Sequence, residues 1–336
     1  MTVKELKNNI KEGVKGNLFL FYGEEGYLRE YYLAELQKTV VGDMMPEFNV
    51  TVIKKIPEFH ELSDVCESYP AMNDRRVVIV RDFDVVSANA DFSEKAEKLF
   101  ADMPEHTVLI FVYSDPEAKP DKRKKLYKTI EKYGNIVNFE CATKTDLISW
   151  VARRFAAHEK SITAPVADFL LFYCGERMEL LIPEIEKIAA YSRKKEITQS
   201  DIEAVATRNI NAVVFDASNA IAEKKYSDAL SVIYDLEAQK EAPIPTLALI
   251  SNQFRRMYAT KLILEHGGGK SEVMEQFGMK SDYPAKLLIN SAKAMDKDSL
   301  MRAIELSKKV DSELKFGGGW EKISELIALI SVEDKK

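Results

Sequence analysis

A strand, a glycine loop and a helix in succession form the usual cradle for a phosphate, and the chain offers that succession near its start. The unbroken apolar run Leu18–Tyr22 leads into Gly23, Glu24, Glu25 and Gly26, and helical spacing follows. A phosphate loop needs backbone N–H groups freed by glycine, a lysine for the outer phosphates and a hydroxyl for magnesium. Residues 23–26 have the glycines but neither lysine nor hydroxyl. Glu24 and Glu25 instead put negative charge at a helix N-terminus, where it stabilises the helix and repels an anion. The sequence therefore predicts a degenerate loop that binds no nucleotide. Residues 267–271 (Gly-Gly-Gly-Lys-Ser) look closer to the pattern, but the first glycine it requires is Leu264 and the segment follows a helical stretch, so it reads as an interhelical turn. An ATPase also needs adjacent acids at a strand end, one for magnesium and one to activate water. Asp82, with Asp84 beyond it, and Asp115 supply no such pair, and Asp82 reads as a strand-end or turn residue. No catalytic residue is assigned.

Metal chemistry has little to work with. Cys66, Cys141 and Cys174 lie far apart without a Cys-x-x-Cys pair, and His60, His106, His158 and His266 show no His-Glu-x-x-His spacing. The thiols read as reduced and packed as small apolar groups; no metal and no cofactor is expected. Residues 119–128 carry the strongest basic run, either a solvated helix start or a contact for phosphate or an acidic partner, and the pairs Arg153–Arg154 and Arg255–Arg256 leave the same choice. Trp150 and Trp320 read as packing residues. Tyr69, Pro70, Ala71 and Met72 lie between a helix and a strand. Pro70 stops the helix, which leaves Tyr69 and Met72 in a short turn. Two placements are open for them, at the surface as adaptable binding groups or folded back onto the core.

These groups need a scaffold, and 336 residues suggest two domains with three possible. Hydrophobic residues at 46% and charged residues at 30% exclude a disordered or fibrous chain. The longest apolar runs, 108–113 and 169–174, have six residues against the ~20 of a membrane span, and the first residues show no signal-peptide core, so a cytoplasmic, membrane-free protein is expected. Net charge is −6, and residues 1–140 hold 20 basic against 25 acidic side chains. Tight binding of nucleic acid by the isolated chain usually needs a basic excess, so any contact with DNA is expected within an assembly. Up to residue 140, candidate strands at 18–22, 50–53, 77–80, 108–112 and 136–139 alternate with helical spacing at 28–40, 59–69, 93–102 and 121–133, which indicates a parallel sheet covered on both faces. Beyond Glu140 the strand signal vanishes. Thr143 with Asp146, Thr163 with Pro165, and Thr198 with Asp201 open helices. In residues 211–336 the series Leu300, Ile304, Ser307, Val310, Leu314 and Ile323, Leu326, Ile327, Ile330 step by three and four, with Gly267–Gly269 and Gly317–Gly319 as breaks.

Six segments, in order and across nearly the whole chain, resemble the δ subunit of the bacterial DNA polymerase III clamp loader. They are residues 19–33 (FLFYGEEGYLREYYL), 69–82 (YPAMNDRRVVIVRD), 121–128, 197–203, 252–256 and 311–317. The resemblance implies an AAA+-like α/β domain over 1–140 that binds the clamp and has lost its nucleotide site. It further implies a small helical lid-like domain over 141–210 and a helical collar domain over 211–336. It implies a non-catalytic component of the DNA-directed DNA polymerase holoenzyme. Such a subunit binds the ring-shaped beta sliding clamp and opens one interface for loading onto primer-template DNA, while delta-prime and gamma/tau subunits of a hetero-pentamer surround it and its partners hydrolyse ATP. The family's apolar wedge falls on Tyr69, Ala71 and Met72, with a larger aliphatic usual at the position of Ala71 and an aromatic at that of Met72. A divergent ATPase subunit, or a helical scaffold unrelated to replication, are the other function classes.

Overall fold

The computed structural model describes residues 1–42, 46–54, 58–279 and 281–333, and the chain divides into two compact units, Met1–Ala142 and Thr143–Lys336. In the first unit the elements run α1 (Val3–Lys11), β1 (Leu18–Tyr22), α2 (Gly26–Val41), α3 (Pro46–Asn49), β2 (Val50–Ile53), α4 (Phe59–Glu67), β3 (Arg76–Arg81), a 3-10 turn (Val85–Ser87), α5 (Ala90–Ala101), β4 (Thr107–Val112), α6 (Lys125–Tyr133) and β5 (Asn135–Asn138). All strand pairings of the five-stranded sheet are parallel, in the order β2-β3-β4-β1-β5. This is the parallel-sheet architecture expected for the N-terminal part.

Strand alternation divides the core into two layers. Leu18, Leu20, Val78, Val80, Leu109 and Phe111 face α4, α5 and α6 through Leu62, Phe92 and Leu126. Phe19, Phe21, Val77, Ile79, Val108 and Ile110 face α1 and α2 through Leu6, Leu33 and Leu36. β1 and β4 are buried along their whole length, which is why they read as continuous apolar runs. Most elements start or end a few residues from expectation, and two of the shifts have a clear cause. α4 ends at Glu67 because Ser68 already turns extended, φ −64° and ψ 133°, two residues before Pro70. α6 starts at Lys125 because Asp121 closes a turn ahead of it, its carboxylate accepting from the Arg123 N–H at 3.0 Å.

The second unit is mostly helical: α7 (Lys144–Ala157), β6 (Ser161–Ile162), α8 (Ala164–Cys174), α9 (Met178–Tyr191), β7 (Glu196–Ile197) and α10 (Gln199–Val205) come first. The parallel pair β6–β7 corrects the expectation of no strand beyond Glu140; two residues per strand carry no periodicity to read. Then follow α11 (Ile210–Ala222), α12 (Tyr226–Ala238), α13 (Pro243–Glu265), α14 (Lys270–Gln276), α15 (Asp282–Ala294), α16 (Lys297–Lys315) and α17 (Trp320–Glu333). Of the expected stripe on α16, Leu300, Ser307, Val310 and Leu314 are buried, while Ile304 is half-buried and the neighbouring Ala303 takes the inner position. All four apolar residues named for α17 are buried. Cys66 and Cys174 are buried as expected, but Cys141 is exposed, its Sγ 3.6 Å from a Glu24 carboxylate oxygen.

Candidate functional site

In a parallel sheet the loop after β1 and the loop before β3 emerge at opposite ends of the strands. Residues 23–26 and 69–72 are therefore two separate places.

The loop after β1 is closed by its own side chains. Gly23 has φ +125°, and a Cβ there would lie 2.5 Å from the Phe139 carbonyl oxygen, so only glycine lets the chain pass the end of β5. The Glu25 N–H donates to that same carbonyl at 2.8 Å. The Glu25 carboxylate, only 7% exposed, accepts from the Tyr27 N–H at 3.2 Å and caps α2 where an anion would otherwise sit. Arg29, one turn along, donates to the Gly23 and Ser114 carbonyls, both at 2.7 Å, tying the loop to the end of β4. Burial draws the Arg29 pKa down, with Glu30 acting in the opposite sense. Lys119, from the basic run, pairs with Glu24 at 3.3 Å. The strand-end acids are structural as well. Asp82, with φ +56°, accepts from the Ser114 N–H at 2.9 Å, and Asp84 accepts from the Tyr113 hydroxyl at 2.6 Å. Arg81 donates both Nη groups to Glu30 at 2.9 and 2.7 Å, and this bond, ahead of the opposing effect of burial, holds the Glu30 carboxyl below its ordinary range.

The turn before β3 has the opposite character, apolar above and polar beneath. Tyr69 is 84% exposed and Met72 82% exposed, with Ala71 exposed between them and Pro70 half-buried. The Tyr69 ring lies flat on His106, centroids 4.6 Å apart and planes 16° from parallel. Fully buried Asn49 holds Ala71 from below. Its Nδ2 donates to the Ala71 carbonyl at 2.9 Å and its Oδ1 accepts from the Ala71 N–H at 2.7 Å, as a neighbouring strand would. Asn73 Nδ2 donates to the Val41 carbonyl at 2.5 Å. Arg75 donates to the Val14 carbonyl at 2.8 Å and to Asn17 Oδ1 at 2.9 Å, and Arg76 donates to the Ser68 carbonyl at 3.2 Å and to Thr51 Oγ1 at 2.8 Å. Both arginines brace the turn. Met72 is left-handed, φ +53°, a conformation costing roughly 1–2 kcal/mol that this surrounding network holds in place.

Such a surface is suited to adhesion, with Tyr69 and Met72 open to a partner. Its backbone is held in place beneath Tyr69 and Met72, so little backbone entropy is lost when these side chains are covered. Sequence reasoning missed two contributors, Asn49 and His106, which act through contacts between segments far apart in the chain, with no local signal.

Comparison with known proteins gives a consistent assignment. The model for "DNA polymerase III, delta subunit" matches residues 19–140, and that for "DNA polymerase III delta subunit, C-terminal domain" matches residues 211–330. DNA polymerase III subunit delta of Bacillus subtilis (strain 168) is 27% identical over 331 residues, covering 94% of this chain and 92% of its own. A probable DNA polymerase III subunit delta of Aquifex aeolicus (strain VF5) is 23% identical over 311 residues, covering 89% of this chain and 86% of its own. The solved structure of the Bacillus subtilis DNA clamp loader delta protein superposes with a TM-score of 0.58 at 25% identity, covering 98% of each chain.

Proposed function

The chain belongs to the DNA polymerase III delta subunit family, a component of the clamp loader, and from that premise we propose that it binds the beta sliding clamp through Tyr69, Pro70, Ala71 and Met72 and opens one interface of the ring for loading onto primer-template DNA. The observation that carries this reading is the braced turn before β3, whose large side chains stay more than four-fifths exposed while Asn49, Arg75 and Arg76 beneath them form hydrogen bonds inward. Exposed aromatic and methionine anchors on a stiff base are what a deep pocket on a partner selects. The proposed organisation is a clamp-binding domain over 1–140, a small helical domain over 141–210 and a collar domain over 211–336 that joins delta-prime and gamma/tau subunits in a hetero-pentamer.

ATP is hydrolysed by those partners in this reading. Glu25 caps α2 with a carboxylate, and Glu24 with Lys119 covers the loop beside it, so the chain's own residues occupy the position of a phosphate. The protein acts in the cytoplasm and needs no cofactor or metal of its own. The test is size-exclusion chromatography of the purified full chain mixed with its cognate clamp. A shifted complex that forms without nucleotide is expected, and separate elution at micromolar concentrations of both would overturn the reading.

A further inference from the structure

Arg256, on α13, is the charged residue with the least explained surroundings. Among the described residues, Arg29, Arg75, Arg76 and Arg256 each have a buried Nε without a hydrogen-bond partner. The first three compensate by donating Nη groups to carbonyls, as described above. Arg256 has no hydrogen bond and no ion pair to any described residue; one face of its guanidinium lies 4.9 Å from the centre of the Phe277 ring. Burial lowers its pKa, but a guanidinium does not lose its proton in a protein, so this half-buried side chain keeps its charge with a buried Nε and no acid among the described residues paired to it.

The group lines a cavity of about 120 Å³ together with Asn211, Asn252, Gln253, Phe172 and Phe215. Asn252, Gln253 and Arg256 lie on one side of α13 by their spacing. Residues 252–256 are one of the segments that marked the family resemblance, and nothing in the clamp-binding turn or the degenerate loop uses them.

We infer that Arg256 receives a carboxylate side chain, Asp or Glu, from a neighbouring subunit of the assembly. This inference rests on the collar role proposed for residues 211–336. The chemistry selects that occupant. A guanidinium fork and a carboxylate match in charge and in planar two-point geometry, and the amides of Asn252 and Gln253 supply further donors. Phe172 and Phe215 suit the methylene stem of the incoming side chain. The cavity is well below the roughly 300–1,000 Å³ of small-molecule pockets. A nucleic-acid backbone is disfavoured because Arg256 is the one cation lining the cavity among the described residues, whereas phosphate tracks recruit several.

The test compares full-length wild type, Arg256→Met and Arg256→Lys for assembly with the cognate delta-prime and gamma/tau subunits, measured by sedimentation velocity, alongside thermal melting of each free chain. Arg256→Met is expected to weaken assembly by roughly ten- to a hundredfold and to leave the melting temperature equal or higher, since it removes an unpaired charge. Arg256→Lys is expected to fall between, keeping the charge but not the fork. Wild-type assembly by Arg256→Met overturns the inference and leaves the collar role standing, whereas failure of wild type to assemble overturns the collar role itself. A lower melting temperature with normal assembly makes Arg256 an internal packing residue on Phe277. Normal assembly with weaker retention of primed DNA makes phosphate the occupant and also overturns it.

Discussion

Replacing Tyr69 and Met72 together by serine removes the apolar surface of the turn and leaves its bracing intact. The two side chains are 84% and 82% exposed, so the free chain loses little. The main loss is the Tyr69–His106 stack at 4.6 Å. Aromatic pairs contribute about 0.5–1.5 kcal/mol beyond burial, and a ring this open takes the low end. At about 2–4 °C per kcal/mol for a chain of this size, the melting temperature should fall by no more than ~3 °C. Binding should respond quite differently. Each anchor, covered only in the complex, contributes about 2 kcal/mol or more. Two such terms correspond to nearly three decades in affinity, and coupling between neighbours three residues apart sets roughly two decades as the expected minimum. Surface plasmon resonance against immobilised cognate clamp, run beside a melting curve, reads both quantities. A companion variant, Asn49→Ala, keeps Tyr69 and Met72 but removes both bonds to Ala71. It should weaken binding by about tenfold through lost pre-organisation. Undiminished affinity in the double serine variant would remove this turn as the clamp site. Collapse of the fold would mean that the side chains serve the core, contrary to their exposure.

Titration of a fluorescent ATP analogue with magnesium should show no saturable micromolar binding, and binding abolished by changes at Glu24 or Glu25 would refute the degenerate-loop reading. Gly23→Ala should destabilise the chain by about 1–3 kcal/mol in urea unfolding, because its Cβ would meet the Phe139 carbonyl in a left-handed backbone. An aromatic disulfide reagent at pH 8 should titrate one thiol rapidly, exposed Cys141, and all three only in denaturant. Burial pushes Cys66 and Cys174 up to about 12, which leaves roughly one in ten thousand of each as thiolate at that pH. The Glu30 carboxyl is held low chiefly by its bond to Arg81, so its contribution is present above the unfolded carboxyl pKa and is lost as pH falls through the folded value. Glu30→Gln should therefore lose less stability than wild type between about pH 5 and pH 3, read as urea midpoints; equal losses would mean the half-exposed pair is screened by solvent.

The sequence by itself determined what local rules can encode. Continuous apolar runs located the central strands β1, β3 and β4, because strands buried on both faces need no polar alternation; the partly buried edge strands β2 and β5 were legible as short β-branched segments, and the i, i+3, i+4 steps located α16 and α17. The absence of lysine and hydroxyl after Gly23, and the acids in their place, were legible because a phosphate loop is a local device. Properties that depend on distant segments were not legible. β6 and β7 are two residues each and exist only because 161–162 meets 196–197. The end of α4 at Glu67 was misread because Pro70 was the visible stop, while Ser68 leaves the helix first. The choice between an exposed and a folded-back Tyr69 and Met72 was open in the sequence, since burial depends on what stands opposite. Tertiary structure decided it by bringing Val14 and Asn17, Asn49 and Thr51, and His106 to the turn from three separate stretches, which bond its backbone and arginines from below while Tyr69 and Met72 stay exposed.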